Sequence, residues 1–258
     1  MSGSGEEAMR GLSIAAVGWL AIMLTSTGLG LWQIGEMGGA EPAAAKCTSD
    51  PRSHSGSYPL SRHVGSYRPA TSVTGVYANL YNYSPYVHYF NTYNSSVSAW
   101  VMIRNSNSSF KYAQVGWIEF PGGLRKTFKE SRNDGPWAFY LDRDPEPTNV
   151  FRYYTVLYNN AGTGYVSYQV AGSTVTEWTE YLPINPNRGE IAGETHTSAD
   201  QMPGSWGGTK MYFGNAHVYI SGSWQNFDGY GINANSTWYS LYGISTTDMQ
   251  IWDNYCQF

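Results

Sequence analysis

The sequence predicts an all-β protein, an antiparallel β-sandwich of two sheets preceded by an apolar N-terminal leader. Three observations carry that expectation. The 258 residues include 22 Tyr, 10 Trp and 29 Gly, while only 13% are charged; this balance suits pleated, half-buried surfaces and tight turns better than helices. From Val73 onward apolar and polar residues alternate in short runs, the two-residue period of a strand. Between the runs lie "NSNSS", "PGG", "NNAGTG" and "PINPNRG", whose Gly, Pro and Asn residues supply the backbone angles of turns.

Taken in order, residues 11–34 carry no charge and follow Arg10. Residues 1–45 are expected to be a cleaved export signal or, because the apolar run is long, a retained membrane anchor. The protein is then secreted, or held outside the membrane, which it touches only through this leader. Residues 46–72 are rich in Ser, Pro and Arg without periodicity and read as a linker or N-terminal arm. Residues 73–258 form the sandwich domain, short enough for one core. Its eleven candidate strands are "SVTGVYANLY", "SSVSAWVMIRN", "FKYAQVGWIEF", "RKTFKES", "WAFYLD", "FRYYTVLYN", "GYVSYQVAG", "STVTEWTEY", "GEIAGETH", "KMYFGNAHVYI" and "DMQIWDNY". In an exported chain Cys47 and Cys256 are expected to close one disulfide between the arm and the last strand.

Several function classes drop out. A net charge of −4 and a pI near 5.7 provide no basic field for nucleic acid. Two cysteines this far apart and five histidines without H-E-x-x-H spacing offer no zinc pattern. His196 and Asp200 follow Glu194 closely, but no nucleophile-elbow motif completes a triad.

Strand parity singles out two segments. In "YAQVGWI" the side chains of Gln114, Gly116 and Ile118 share one face, and Ala113, Val115 and Trp117 form a core face on the other. In "GEIAGET" Glu190, Ala192 and Glu194 share a face. Each strand therefore sets a polar group among small residues, as a ligand-binding sheet face would. Carboxylates in strands also commonly do no more than face water, and Trp100, Trp117, Trp137 and Trp178 suit core or rim packing. The stretch "YANLYNYSPYVHYFNTY" could line a sugar or peptide groove.

"SAWVMI", "YAQVGWIEFPGG" and "GEIAGETHTSADQMPGS" together resemble the glutamic peptidases, both the fungal eqolisin type and the plant neprosin type. The fungal type carries "AWVGI", then "LQTGV" with a catalytic glutamine, then "AEWIVE" with a catalytic glutamate; the neprosin type carries "EAGW", "GGEV" and an "HT.T.MGSG" stretch. The resemblance spans roughly residues 73 to 227. It implies a concanavalin-like or jelly-roll-like sandwich and an acid-optimal endopeptidase without metal or cofactor, acting on protein or peptide substrates. It puts Gln114 and Glu190 in the catalytic roles, with Glu194 a competitor for the second. Trp100, Trp117, Glu130 and His196 are the candidate substrate-binding residues. Glu activates a water and the Gln amide stabilises the oxyanion. Two other readings stand beside it. One is a non-catalytic carbohydrate- or surface-binding sandwich that uses its aromatic face. The other is a glycoside hydrolase with Glu190 and Glu130 as paired carboxyls.

Overall fold

The structure, a computed structural model, describes residues 62–81, 96–108, 110–120, 123–145, 147, 149–159, 163–171, 175–195, 210–233, 239–243 and 247–254. The leader, Cys47, Cys256 and His196 lie outside these residues. Among the described residues fifteen strands are formed: β1 Arg62–Pro69, β2 Val73–Tyr81, β3 Val97–Arg104, β4 Lys111–Phe120, β5 Leu124–Asn133, β6 Ala138–Pro145, β7 Phe151–Asn159, β8 Tyr165–Ala171, β9 Val175–Tyr181, β10 Arg188–Thr195, β11 Met211–Ile220, β12 Ser223–Asn226, β13 Tyr230–Asn233, β14 Tyr239–Tyr242 and β15 Met249–Asp253.

They pair antiparallel in two sheets. The first runs β13-β1-β10-β3-β4-β5-β6 and the second β14-β15-β11-β2-β7-β8-β9, with β12 added beside β11. All eleven expected strands are present. The four that the alternation missed, β1, β12, β13 and β14, carry few inward apolar residues. β1 comes from the segment read as an arm: it sends only Val64 into the main core, too little to show as a period.

The inward faces meet in one core built from Val64, Val101, Val115 and Ile191 on the first sheet and Val76, Val156, Val170 and Val218 on the second. Trp117 also points into it, fully buried, with the Arg125 guanidinium 4.2 Å from its ring centroid. Arg125 is ion-paired with Glu119 across the β4–β5 hairpin, both 2% exposed.

The outward faces differ. Ala113–Ile118 of β4 and Gly189–Thr195 of β10 are buried on both sides of the sheet, and Trp100, Met102, Ile118, Phe128 and Ala192 form a second apolar cluster on the outer side. Outward side chains of the second sheet stay open, among them Phe151 and Tyr153. The outward side chains of the two strands singled out in the sequence, Gln114 on β4 and Glu190 and Glu194 on β10, therefore lie on the outer face that is shielded from water.

Candidate active site

Pairing registers place the polar residues in rows across that shielded face. Glu190 on β10 is opposite Met102 on β3, Met102 opposite Gln114 on β4, and Gln114 opposite Glu130 on β5. The next row reads Gly65, Ala192, Trp100, Gly116, Phe128, and the row beyond it starts His63, Glu194, Ser98. Gln114 and Glu190 thus share a face and a row with one strand between them, about 10 Å at the backbone. Glu190 and Glu130 are three strands apart in the same row, about 14 Å.

Gly116 is required by the packing. A Cβ there would sit 2.0 Å from the Ala99 carbonyl oxygen and 2.7 Å from Trp100 Cα. With Ala192 on its other side, Trp100 has no bulky cross-strand neighbour and its indole Nε1 donates to Glu194 Oε2 at 3.0 Å. His63 Nε2 reaches Glu194 Oε1 at 3.0 Å, and its ring meets Trp100 edge-on.

Gln114 is held from the other side. Its Nε2 donates to Glu130 Oε2 at 3.0 Å, and the Tyr112 hydroxyl donates to Glu130 Oε1. An ionised carboxylate only accepts, so Glu130 fixes which end of the Gln114 amide it faces. Among the described residues Glu130 is the one side-chain hydrogen-bond partner of the Gln114 amide.

Glu190, 2% exposed, has a different partner set. Arg188 Nε lies 2.6 Å and Arg104 Nη1 3.5 Å from its Oε1, and Arg188 also stacks on Tyr67 with 3.8 Å to the ring centroid. Two guanidiniums on one carboxylate make an anchored charge cluster.

The electrostatics favour protons. Burial raises the Glu130 carboxyl above its ordinary range despite donors from Tyr112, Trp137 and Gln114, and the charge of Glu194 raises it further. Burial likewise raises Glu190, outweighing Arg188, Arg104 and His63. Burial alone would lower His63; the charge and hydrogen bond of Glu194, with the charge of Glu190, outweigh it and hold the imidazole above its usual value. Tyr112 is raised by burial, then by Glu130 and Glu194. The charge of Glu194 is felt at both Glu130 and Tyr112, although by register Glu194 stands two rows along the face from Gln114.

The residues named from sequence are therefore divided. Gln114, Glu190, Glu194, Glu130 and Trp100 share one face. Trp117 faces the opposite way, into the core, because it is odd-numbered on a strand whose even residues face outward. Tyr112 and Arg188, two residues before Gln114 and Glu190, were legible by parity. Arg104 lacked such a cue, and His63 sits in a segment without a pattern. Among the described residues no group of three or more His, Cys, Asp and Glu side chains is arranged to hold a metal ion.

The fold is similar to that of known peptidases. Scytalido-glutamic peptidase bound to a peptide-based transition state analog superposes with a TM-score of 0.57 at 12% identity, covering 76% of this chain and 99% of that one. A second structure of that peptidase, with a transition state analog inhibitor, gives 0.58 at 11% identity over the same shares. SCP-B, a member of the eqolisin family of peptidases in complex with the tripeptide Ala-Ile-His, gives 0.55 at 11% identity, again over 76% and 99%. No protein-family model and no curated protein sequence matches the chain.

Proposed function

We propose that the chain is a secreted endopeptidase of the glutamic type, active in acid, in which Gln114 and Glu194 work on one water. The observation that carries the choice of Glu194 over Glu190 is the partner set. Glu190 is ion-paired with two arginines and its side chain is only 3% exposed, against 11% for Glu194, so it is the less open of the two to a water and a substrate. Glu194 is held by an indole N–H and an imidazole, and its charge is felt at Glu130 and Tyr112, the residues that hold Gln114.

In this reading the Glu194 carboxylate takes a proton from water as the water oxygen attacks the peptide carbonyl carbon. The other N–H of Gln114 donates to the developing oxyanion. When the C–N bond breaks, protonated Glu194 passes its proton to the leaving amine, giving one acid and one amine per water consumed. Glu130 and Tyr112 are positioning residues for Gln114, and Trp100 and His63 are positioning residues for Glu194. The raised carboxyls of Glu130 and Glu190 favour a lightly charged site at acidic pH. The fold shared with peptidases crystallised with peptide-like inhibitors and a tripeptide supports the substrate class. Export through the apolar N-terminal segment belongs to the same proposal, and N-terminal sequencing of protein from the culture medium tests it.

The deciding experiment is hydrolysis of denatured protein from pH 3 to 7 by wild type, Glu194→Gln, Glu190→Gln and Gln114→Ala. Losing the base is expected to cost about 10²–10⁴-fold in kcat. Losing the amide is expected to cost about 10²–10³-fold. Full activity in Glu194→Gln, with Glu190→Gln inactive, would transfer the base role to Glu190; full activity in all three would end the reading.

A further inference from the structure

The outer face of the second sheet has no part in this chemistry, yet it carries aromatic side chains that the core does not use. Tyr77 on β2 stacks on His217 of β11 with centroids 4.8 Å apart and an interplanar angle of 14°. Trp224 of β12 meets Tyr77 edge-on at 4.8 Å and Tyr219 at 5.0 Å. Phe151 and Tyr153 continue the strip along β7 and are about half exposed.

Two backbone features are specific to this cluster. The register of β11 against β2 slips between Gly214 and His217, with Asn215 in the left-handed region at φ 51°. This bulge re-aims the following side chains and brings His217 flat against Tyr77. Its turned-out backbone is tied down, since Asn215 N donates to Asp248 Oδ1 at 3.2 Å. The second feature is the β11–β12 hairpin, which turns through Ser221 and Gly222 at φ 51° and 87°. All four residues of β12 are exposed, and its one large side chain, Trp224, is folded back onto the sheet. A glycine receives it, because a Cβ on Gly75 would meet Trp224 at 3.1 Å and Leu157 at 2.8 Å. An exposed strand that contributes nothing to the main core, presenting a tryptophan over a cleared glycine, needs a reason outside folding.

The charge pattern indicates the occupant. The outward positions of β2, β7 and β8, the odd residues 75–81, 151–159 and 165–171, contain no charged side chain. The acids that flank them are engaged by neighbours: Glu177 on β9 accepts from Gln169 Nε2 at 3.0 Å, and Asp248, beside β11, accepts from Asn215 N at 3.2 Å and from the Tyr212 hydroxyl at 2.7 Å. The rings are interleaved with hydroxyls and amides (Thr155, Ser167, Gln169), and Leu157 is the one branched aliphatic chain on those positions. A polyanion finds no cation there, and a protein or lipid partner finds little aliphatic surface. A neutral sugar chain matches both components: its C–H faces stack on aromatic π-faces, and its hydroxyls bond to the amides.

We propose that the outer face of the second sheet, centred on Trp224 and Tyr77, is a binding platform for an uncharged polysaccharide, on the opposite side of the sandwich from Gln114 and Glu194.

The test uses the full chain and is read by binding, so its outcome is independent of whether the peptidase reading holds. Retention is measured on amorphous cellulose and on chitin, and mobility in gels containing a soluble neutral β-glucan, for wild type, Trp224→Ala, Trp224→Phe and Tyr77→Ala. Neutral phosphatidylcholine vesicles serve as the competing surface. The expected result is binding to at least one glycan, weakened tenfold or more in Trp224→Ala and Tyr77→Ala and partly kept in Trp224→Phe. Thermal unfolding of Trp224→Ala is expected to stay cooperative with a modestly lower midpoint, because Trp224 packs only on the surface rings Tyr77 and Tyr219, so a loss of binding is separable from a loss of folding. Absence of binding to every neutral glycan, binding unchanged in Trp224→Ala, or Trp224-dependent binding to the vesicles alone would each overturn the proposal.

Discussion

At the scale of single residues, the acidic side chains of the shielded face take three different roles according to their partners. Glu130 accepts from Gln114 and Tyr112, Glu194 meets an indole and an imidazole, and Glu190 meets two guanidiniums. Parity along β10 put Glu190 and Glu194 on one face but could not rank them, since ranking depends on neighbours from β1, β3 and β4. Glu130→Gln keeps an acceptor for the Gln114 amide while removing a titrating group. Hydrolysis by that variant is expected to fall less than in Gln114→Ala and to lose part of its acid limb; a pH–rate profile of kcat/KM checks this. His63→Ala leaves the indole bond to Glu194 intact but removes the neighbouring cation. The apparent pKa on the acid limb is then expected to rise, as a carboxylate losing a positive partner should.

At the scale of elements, close approach decides what the β3–β4 pair tolerates. Gly116→Ala would force a Cβ to 2.0 Å from the Ala99 carbonyl oxygen, so the two strands must part or Trp100 must move. The expected loss is about 1–3 kcal/mol or more, read from the denaturant midpoint, with hydrolysis lost as Trp100 leaves Glu194. The β4–β5 hairpin carries a second sensitive contact. Glu119→Ala would leave the Arg125 guanidinium buried beside Trp117 without its carboxylate, a change expected to cost about 3–5 kcal/mol in chemical denaturation. Nothing in the spacing of Glu119 announced this: a carboxylate near a strand end usually faces water, and only the turn of the hairpin brings Arg125 opposite it.

At the scale of the whole molecule, His63, Glu130 and Glu190 are all shifted upward, so the folded state binds more protons than the unfolded chain between the ordinary and the raised values. For the two carboxyls this contribution is fully present below about pH 4.3, the unperturbed Glu value, and is lost as pH rises through the folded values. For His63 it is fully present below about 6.5 and is lost above that. These groups are therefore expected to make thermal unfolding occur at a lower temperature at pH 8 than at pH 5. Calorimetry at both values checks this, with Glu130→Gln showing a smaller difference. The two outer faces also differ in character: the first is shielded and carries Glu130, Glu190 and Glu194, and the second is open and aromatic.

The sequence by itself determined the all-β class, eleven of the strands, and the sharing of faces by Gln114 with Gly116 and by Glu190 with Glu194, because a two-residue period and turn chemistry are local properties. Tertiary structure alone decided that β1 belongs to the first sheet and that His63 and the arginines surround the acids. Those outcomes depend on strand order and twist, which bring together residues from opposite ends of the chain and leave no mark on the spacing of any one segment.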